Sequence, residues 1–216
     1  YHGTNCLTLF ANGTCGNLNH LDVRWARNQG GPAEANRLGT LLAASVFLAE
    51  KNLRTLPDTI PLRVRSVRVP LPLAPITPEE IAQARIDVVT AKDNTREGFM
   101  RLVKGFQVLD VAAREGKPLE VEVQVIALGR ELAWVSLPGE IFVELGLAIK
   151  KRSPFPQVFI AELANGSIGY IPDRRSYAEG NYEPVSARCA AGSGEMLVEA
   201  AVSLLREAAT SQNPPK

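Results

Sequence analysis

Histidine is almost missing from this 216-residue chain, which carries only His2 and His20. A zinc site takes three or four protein ligands, so a self-contained histidine-rich zinc centre is excluded. Cys6, Cys15 and Cys189 are the only cysteines and form no C-x-x-C element. They cannot all pair internally, so they read as free thiols, with no disulfide framework and no redox pair. Neither sign of charge is in excess: 24 Lys and Arg face 23 Asp and Glu, a formal net charge of +1. With no block of like charge there is no general pull toward nucleic acid or an anionic membrane. No run approaches the roughly 20 apolar residues that span a bilayer, and no signal-peptide succession is visible. A G-x-S-x-G elbow, a P-loop, a G-x-G-x-x-G after a strand and H-E-x-x-H are all absent. The chain opens on Tyr1 and not on Met, which reads as a processed or truncated product.

What remains is a globular composition, 45% hydrophobic, long enough for a substantial core. Asn5 to Ala11 reads as a short buried strand. Pro32 to Leu53 has helical apolar spacing with Pro32 suited to a first turn. "LRVRSVRVPL" from Leu62 alternates imperfectly and reads as a half-exposed strand. "TPEE" at 77–80 is a capping box that opens a helix to about Lys92. A second helix runs from Thr95 or Arg96 to Glu115 and ends at Gly116. "LEVEVQVIALGRELAWVSL" is a β-hairpin turning near Gly129 and Arg130. A helix is expected from Glu140 to about Lys151, then two short strands around Asn165 and Gly166. An irregular polar loop at 174–190 and an amphipathic helix from Gly194 to Ala209 follow. The expected fold class is α/β, a mixed β-sheet with flanking helices. Residues 1–209 are expected to form one folded region and 210–216 a disordered tail.

Three segments at strand ends could carry chemistry. "FANGTCGNLNH" (10–20) packs Asn12, Asn17, Asn19, His20, Cys15 and two glycines into a short loop. Glycines serve where backbone must bend or come close to something, and amides bury little apolar area. "SLPGEIF" places Glu140 after a strand and a Pro-Gly turn. Its carboxylate either faces a cleft or serves the dipole of a following helix. "GYIPDRRSYAEGNYEP" holds Tyr170, Tyr177 and Tyr182, three of the four tyrosines, which form a site rim or pack the loop on the core. "GSGE" (192–195) is a helix start, with anion binding as the less favoured alternative.

Together "FANGTCGNLNH", "LPGEIFVELG" and "ELANGSIGYIP...YAEGNYEPVSA" resemble the catalytic domain of the neutral/alkaline, non-lysosomal ceramidases. The resemblance is closer still to ceramidase-like proteins of bacteria and runs from Cys6 to about Leu205. It implies a zinc amidase that cleaves an N-acyl bond, with Zn2+ held by two histidines, a glutamate and a tyrosine. Residue by residue, the glutamate falls on Glu140 and the tyrosine on Tyr170. The family's histidines lie upstream of the loop motif, so further ligands are expected from a segment ahead of Tyr1, on the same polypeptide or a separate chain.

Asn19 stands where the family has a catalytic serine. It cannot act as a nucleophile, though its amide can donate to a developing oxyanion. Asn17, Asn19 and His20 are therefore the candidates for water or carbonyl contacts, with His20 either moving a proton or capping the loop. The resemblance implies a lipid amide or other small N-acyl substrate and a secreted or periplasmic location, with no nucleic acid partner and no transmembrane segment. A non-catalytic binding or structural subunit that retains the fold is the alternative.

Overall fold

The computed structural model describes residues 7, 9–53, 57, 59–91 and 95–210. Two compact units emerge, one of Asn19–Ile60 and one of Tyr1–Leu18 with Pro61–Lys216.

The smaller unit is built on helix α1, Pro32–Glu50. Gly31 precedes it at φ 87° and Pro32 occupies its first turn, where a missing N–H costs nothing. Glu34 in that turn is 6% exposed and is held by Arg37 at 2.6 Å and Arg27 at 3.5 Å. The helix forms where its spacing predicts. Its apolar stripe, Leu41, Leu42, Val46, Phe47 and Leu48, is nevertheless exposed. Periodicity specifies the helix, but only a facing surface can bury its stripe.

In the larger unit, β1 (Leu62–Leu71) leads to α2 (Pro78–Thr90), and Thr77 and Glu80 close the expected capping box. Helix α3 (Arg96–Ala112) follows, shorter than expected because its last turn loosens before Gly116 at φ 77°. β2 (Leu119–Leu128) and β3 (Leu132–Ser136) make the expected hairpin. The two-residue strand β4 (Glu140–Ile141) precedes α4 (Val143–Arg152), and β5 (Gln157–Ala161) and β6 (Tyr170–Ile171) come next. The segment expected to be irregular holds two short helices, α5 (Ser176–Glu179) and α6 (Tyr182–Ser186), before α7 (Ser193–Thr210).

The main sheet has the order β1-β2-β3-β5. Its first two pairings are antiparallel and β3 runs parallel to β5. The mixed sheet with flanking helices is thus present as the sequence implies. Period-2 alternation sends Val121, Val123, Val125, Ala127, Ala133 and Val135 to one face, where all are buried. Helix α7 covers β1 and β2 from that side and packs on α4, contributing Leu197, Val198, Ala201, Val202 and Leu205 to the core. The opposite face carries Val64, Ile126, Trp134 and Phe159 in register across all four strands, with Trp134 stacked on Phe159 at 6.1 Å.

Three local expectations change. Leu7, Leu9 and Phe10 are 75% to 85% exposed and belong to no strand. Among the described residues no neighbouring strand pairs with them, so the apolar run has no ladder to join. Ala11 is likewise exposed and in no strand, while Asn5, Cys6 and Thr8 lie outside the described residues, as do His2 and residues 211–216. Glu140 is not in a helix: it begins β4, and the helix starts at Val143. The strands around Asn165 and Gly166 do not pair with each other. Asn165 (φ 62°) and Gly166 (φ 141°) do turn the chain, but β5 enters the main sheet while β6 pairs parallel with β4 in a separate two-stranded sheet.

Candidate functional site

The two-stranded sheet unites two of the sequence candidates. Glu140 lies directly opposite Tyr170, and Ile141 opposite Ile171. Residues in register on adjacent strands project to the same side, which brings the Tyr170 phenol beside the Glu140 carboxylate. The Tyr170 phenol is pushed up to about 12, first by burial and then by the negative charge and hydrogen bond of Glu140.

The pair opens on a cavity of about 500 Å³. Helix α3 supplies its apolar wall with Val103 and Phe106, and Gln107, Asp110, Tyr182, Ser186 and Arg188 complete it. Tyr182 stands edge-on to Tyr170 with ring centroids 5.7 Å apart and stacks on Phe99 at 5.8 Å. It is therefore a rim residue that ties β6 to α3. Tyr177 differs: its hydroxyl donates to the Cys189 carbonyl at 2.9 Å, and burial raises its phenol above the usual range, so it packs the loop on the core.

Arg188 braces the same corner. Its Nε donates to Asp110 on α3, and its Nη1 donates to the Ile168 carbonyl at 3.1 Å. The next residue, Gly169, has φ 81°, and its carbonyl accepts the Glu140 N–H at 3.0 Å. The turn that leads into Tyr170 is thereby clamped between Arg188 and β4.

The amide-rich loop reaches this sheet through Asn17. Helix α4 has Phe142 at its N-cap, which offers no side-chain acceptor. Asn17 Oδ1 accepts from the Val143 N–H at 2.9 Å, while Asn17 Nδ2 donates to Glu144 at 2.8 Å. Asn17 therefore caps from a distance a helix end that would otherwise leave its N–H groups unmet. Asn19 and His20 belong to the smaller unit. Asn19 Oδ1 accepts from the Leu21 N–H at 3.3 Å, and His20 Nε2 lies 2.9 Å from the Gln29 carbonyl. A carbonyl only accepts, so that nitrogen carries the proton, and His20 makes a loop-closing contact.

Glu162 is the site residue that sequence reasoning missed, whereas Cys15 and Gly16 lie in the loop motif with no partner assigned there. Glu162 Oε2 accepts from the Cys15 N–H at 3.1 Å and the Ile141 N–H at 3.0 Å, and Oε1 accepts from the Cys15 thiol at 2.8 Å. A Cβ on Gly16 would lie 2.7 Å from the Glu140 carbonyl carbon, so only glycine lets the loop lie against β4. The available signal is Glu162 itself, a carboxylate directly after the apolar run "VFIA".

Among the described residues no group of three or more His, Cys, Asp or Glu could hold a metal ion. Glu140 and Tyr170 are two adjacent oxygen donors on one cavity wall, a set that fits part of a zinc shell and not a whole one.

These features first define a class: a mixed-sheet α/β protein with an oxygen-donor cleft where a short parallel strand pair meets a helical hairpin. A solved structure of that class shares the fold. Neutral ceramidase from Pseudomonas aeruginosa matches with a TM-score of 0.62 and 15% identity, over 100% of this chain and 40% of that one. A ceramidase complexed with C2 matches at a TM-score of 0.49 and 15% identity, over 85% of this chain and 36% of that one, too low a score to support an argument. No family model and no curated protein matches the chain. The chain therefore has the fold of part of a neutral ceramidase and spans about 40% of that protein's length.

Proposed function

We propose that this chain is the carboxyl-terminal part of a zinc-dependent hydrolase domain that cleaves the N-acyl bond of a lipid amide or related small molecule. The observation that carries the reading is the pairing of Glu140 with Tyr170 on one wall of an open cavity, within a fold shared with a neutral ceramidase. Glu140 and Tyr170 would hold the metal, with further ligands from an upstream segment of the same domain, on this polypeptide or a separate chain. A bound zinc would polarise the acyl carbonyl and make a water nucleophilic near neutral pH. Glu140 supplies the charge that balances the cation. Tyr170 is a phenol at neutral pH, raised by burial and by the neighbouring Glu140, and its oxygen would be the second donor. The Val103, Phe106 and Tyr182 side of the cavity offers an apolar surface to a substrate chain. Asn17 orders the edge of the cleft; a carbonyl or proton role for Asn19 and His20 rests on the resemblance. A secreted or periplasmic location accompanies this reading through the resemblance. No helix among the described residues is long and apolar enough to cross a membrane.

Metal analysis tests it. In protein that includes the upstream ligands, zinc is stoichiometric, is lost in Glu140→Ala and is weakened in Tyr170→Phe. Zinc retention unaffected by Glu140→Ala would refute the assignment. Asn19 favours a second reading, a non-catalytic subunit, because no nucleophile or proton carrier stands in the serine position and the amide oxygen is used locally. Stoichiometric zinc without hydrolysis across a panel of N-acyl and ester substrates would select it.

A further inference from the structure

Glu162 is 7% exposed. Among the described residues no Lys, Arg or His forms an ion pair with it. A buried carboxylate without a cation is costly unless donors surround it. Three do: the Cys15 N–H and the Cys15 thiol from the loop, and the Ile141 N–H from β4. The backbone adds to the seam, because Glu162 N–H donates to the Asn12 carbonyl at 3.1 Å and Gly16 N–H donates to the Ile141 carbonyl at 2.8 Å. One side chain therefore stitches the loop that carries Asn17 to the strand that carries Glu140.

We infer that Glu162 is a positioning residue: by accepting hydrogen bonds from both Cys15 and Ile141, it locks the 12–17 loop onto β4 and sets Asn17 and Glu140 in place for the site. The inference deepens the hydrolase reading, and its relevance to turnover rests on that reading. The lock itself is visible without it. The thiol is both marker and participant, since its hydrogen bond to Glu162, then burial, raise it to about 11. Charged acceptors make the stronger hydrogen bonds. A glutamine of the same shape has one acceptor and one donor, and so cannot serve donors at both of its ends.

The test is alkylation of the purified chain with iodoacetamide at pH 8, each thiol followed separately by peptide mass spectrometry. In Glu162→Gln the hydrogen bond and charge of Glu162 no longer raise the Cys15 thiol, while burial and Glu140 still do, so its thiolate fraction rises part of the way to the free value, and the weaker nucleophilicity of a more acidic thiol offsets some of this. Cys15 is therefore alkylated several-fold faster than in the wild type, while buried Cys189 keeps its rate. An unchanged Cys15 rate overturns the inference. So does an equal rise at both thiols, which would make Glu162 a general support of the fold. Amide exchange over 12–17 supplies the second measurement. Cys15→Ser, which keeps a donor, stays near wild type, and Cys15→Val exchanges at least tenfold faster; equal rates in the two variants overturn the lock. None of these readouts needs zinc or turnover. Loss of the hydrolase reading would leave them standing, and a failed lock in zinc-loaded protein would break this inference alone.

Discussion

The two sheets of the larger unit share one hydrophobic core but differ in how much of their own pairing holds them. In the four-stranded sheet, ten consecutive registered pairs join β1 to β2, and strict alternation places valines and alanines under α7. That sheet is stabilised by apolar area removed from water. The β4–β6 sheet has only two registered pairs, too few to stand alone. It is held by its surroundings: Ile141 and Ile171 are fully buried in the same core as the main sheet, and Glu162 on Ile141, Arg188 on Ile168 and Asn17 on Val143 add hydrogen bonds from elsewhere. One sheet is made by its own sequence. The other is made by its surroundings, and it is the one that carries the candidate site.

Perturbing each region separately sharpens this contrast. The largest effect belongs to the main sheet. Leu205→Ala, at a fully buried position under it, lowers unfolding free energy by about 2–5 kcal/mol in urea denaturation, while Cys15 alkylation under native conditions stays slow. A simultaneous loss of Cys15 protection would show that the two regions unfold as one. Next comes Asn17→Ala, which removes the distant cap of α4 and costs about 1 kcal/mol. It raises amide exchange in the first turn of α4 and leaves β2 unaffected; equal exchange in both places would contradict the local role.

The smallest effect at neutral pH is that of Tyr170. Its folded phenol is raised to about 12 from an ordinary value of 10, so the unfolded chain ionises first. Stability from this group is full below pH 10 and is lost as pH rises from 10 toward 12. Denaturation midpoints measured at pH 9 and 11.5 should fall less steeply in Tyr170→Phe than in the wild type. Tyr177, raised by burial as well, should leave a residual slope.

The same contrast explains which features are legible in the sequence. Thr77 with Glu80, Pro32, Gly116 and the 119–136 hairpin each state their element locally, through caps, fixed φ and period-2 alternation. Glu140 and Tyr170 are legible through resemblance, not through any local rule, and the helix expected at Glu140 begins three residues later. That shift has a cause. Glu140 and Ile141 are drawn into extended pairing with Tyr170 and Ile171, and the Ile141 carbonyl is taken by the Gly16 N–H and not by a donor one helical turn on, so the helix begins at Val143, where Asn17 caps it. Likewise the turn at Asn165 and Gly166 is visible, but the partners of the strands beside it are not, because parallel pairing joins residues far apart in sequence.

By itself, then, the sequence determined the mixed α/β class, most element positions, the buried face of the main sheet and the exclusion of a self-contained histidine-rich zinc site. These follow from composition, periodicity and capping, which act within a few residues. Only the tertiary structure decided that Glu140 and Tyr170 face each other across a parallel pair, that Asn17 ends a helix far along the chain, and that Glu162 binds the loop to the strand. Those outcomes depend on non-local hydrogen bonds and on a close backbone approach at Gly16, and no local pattern encodes which distant donor a buried carboxylate will find.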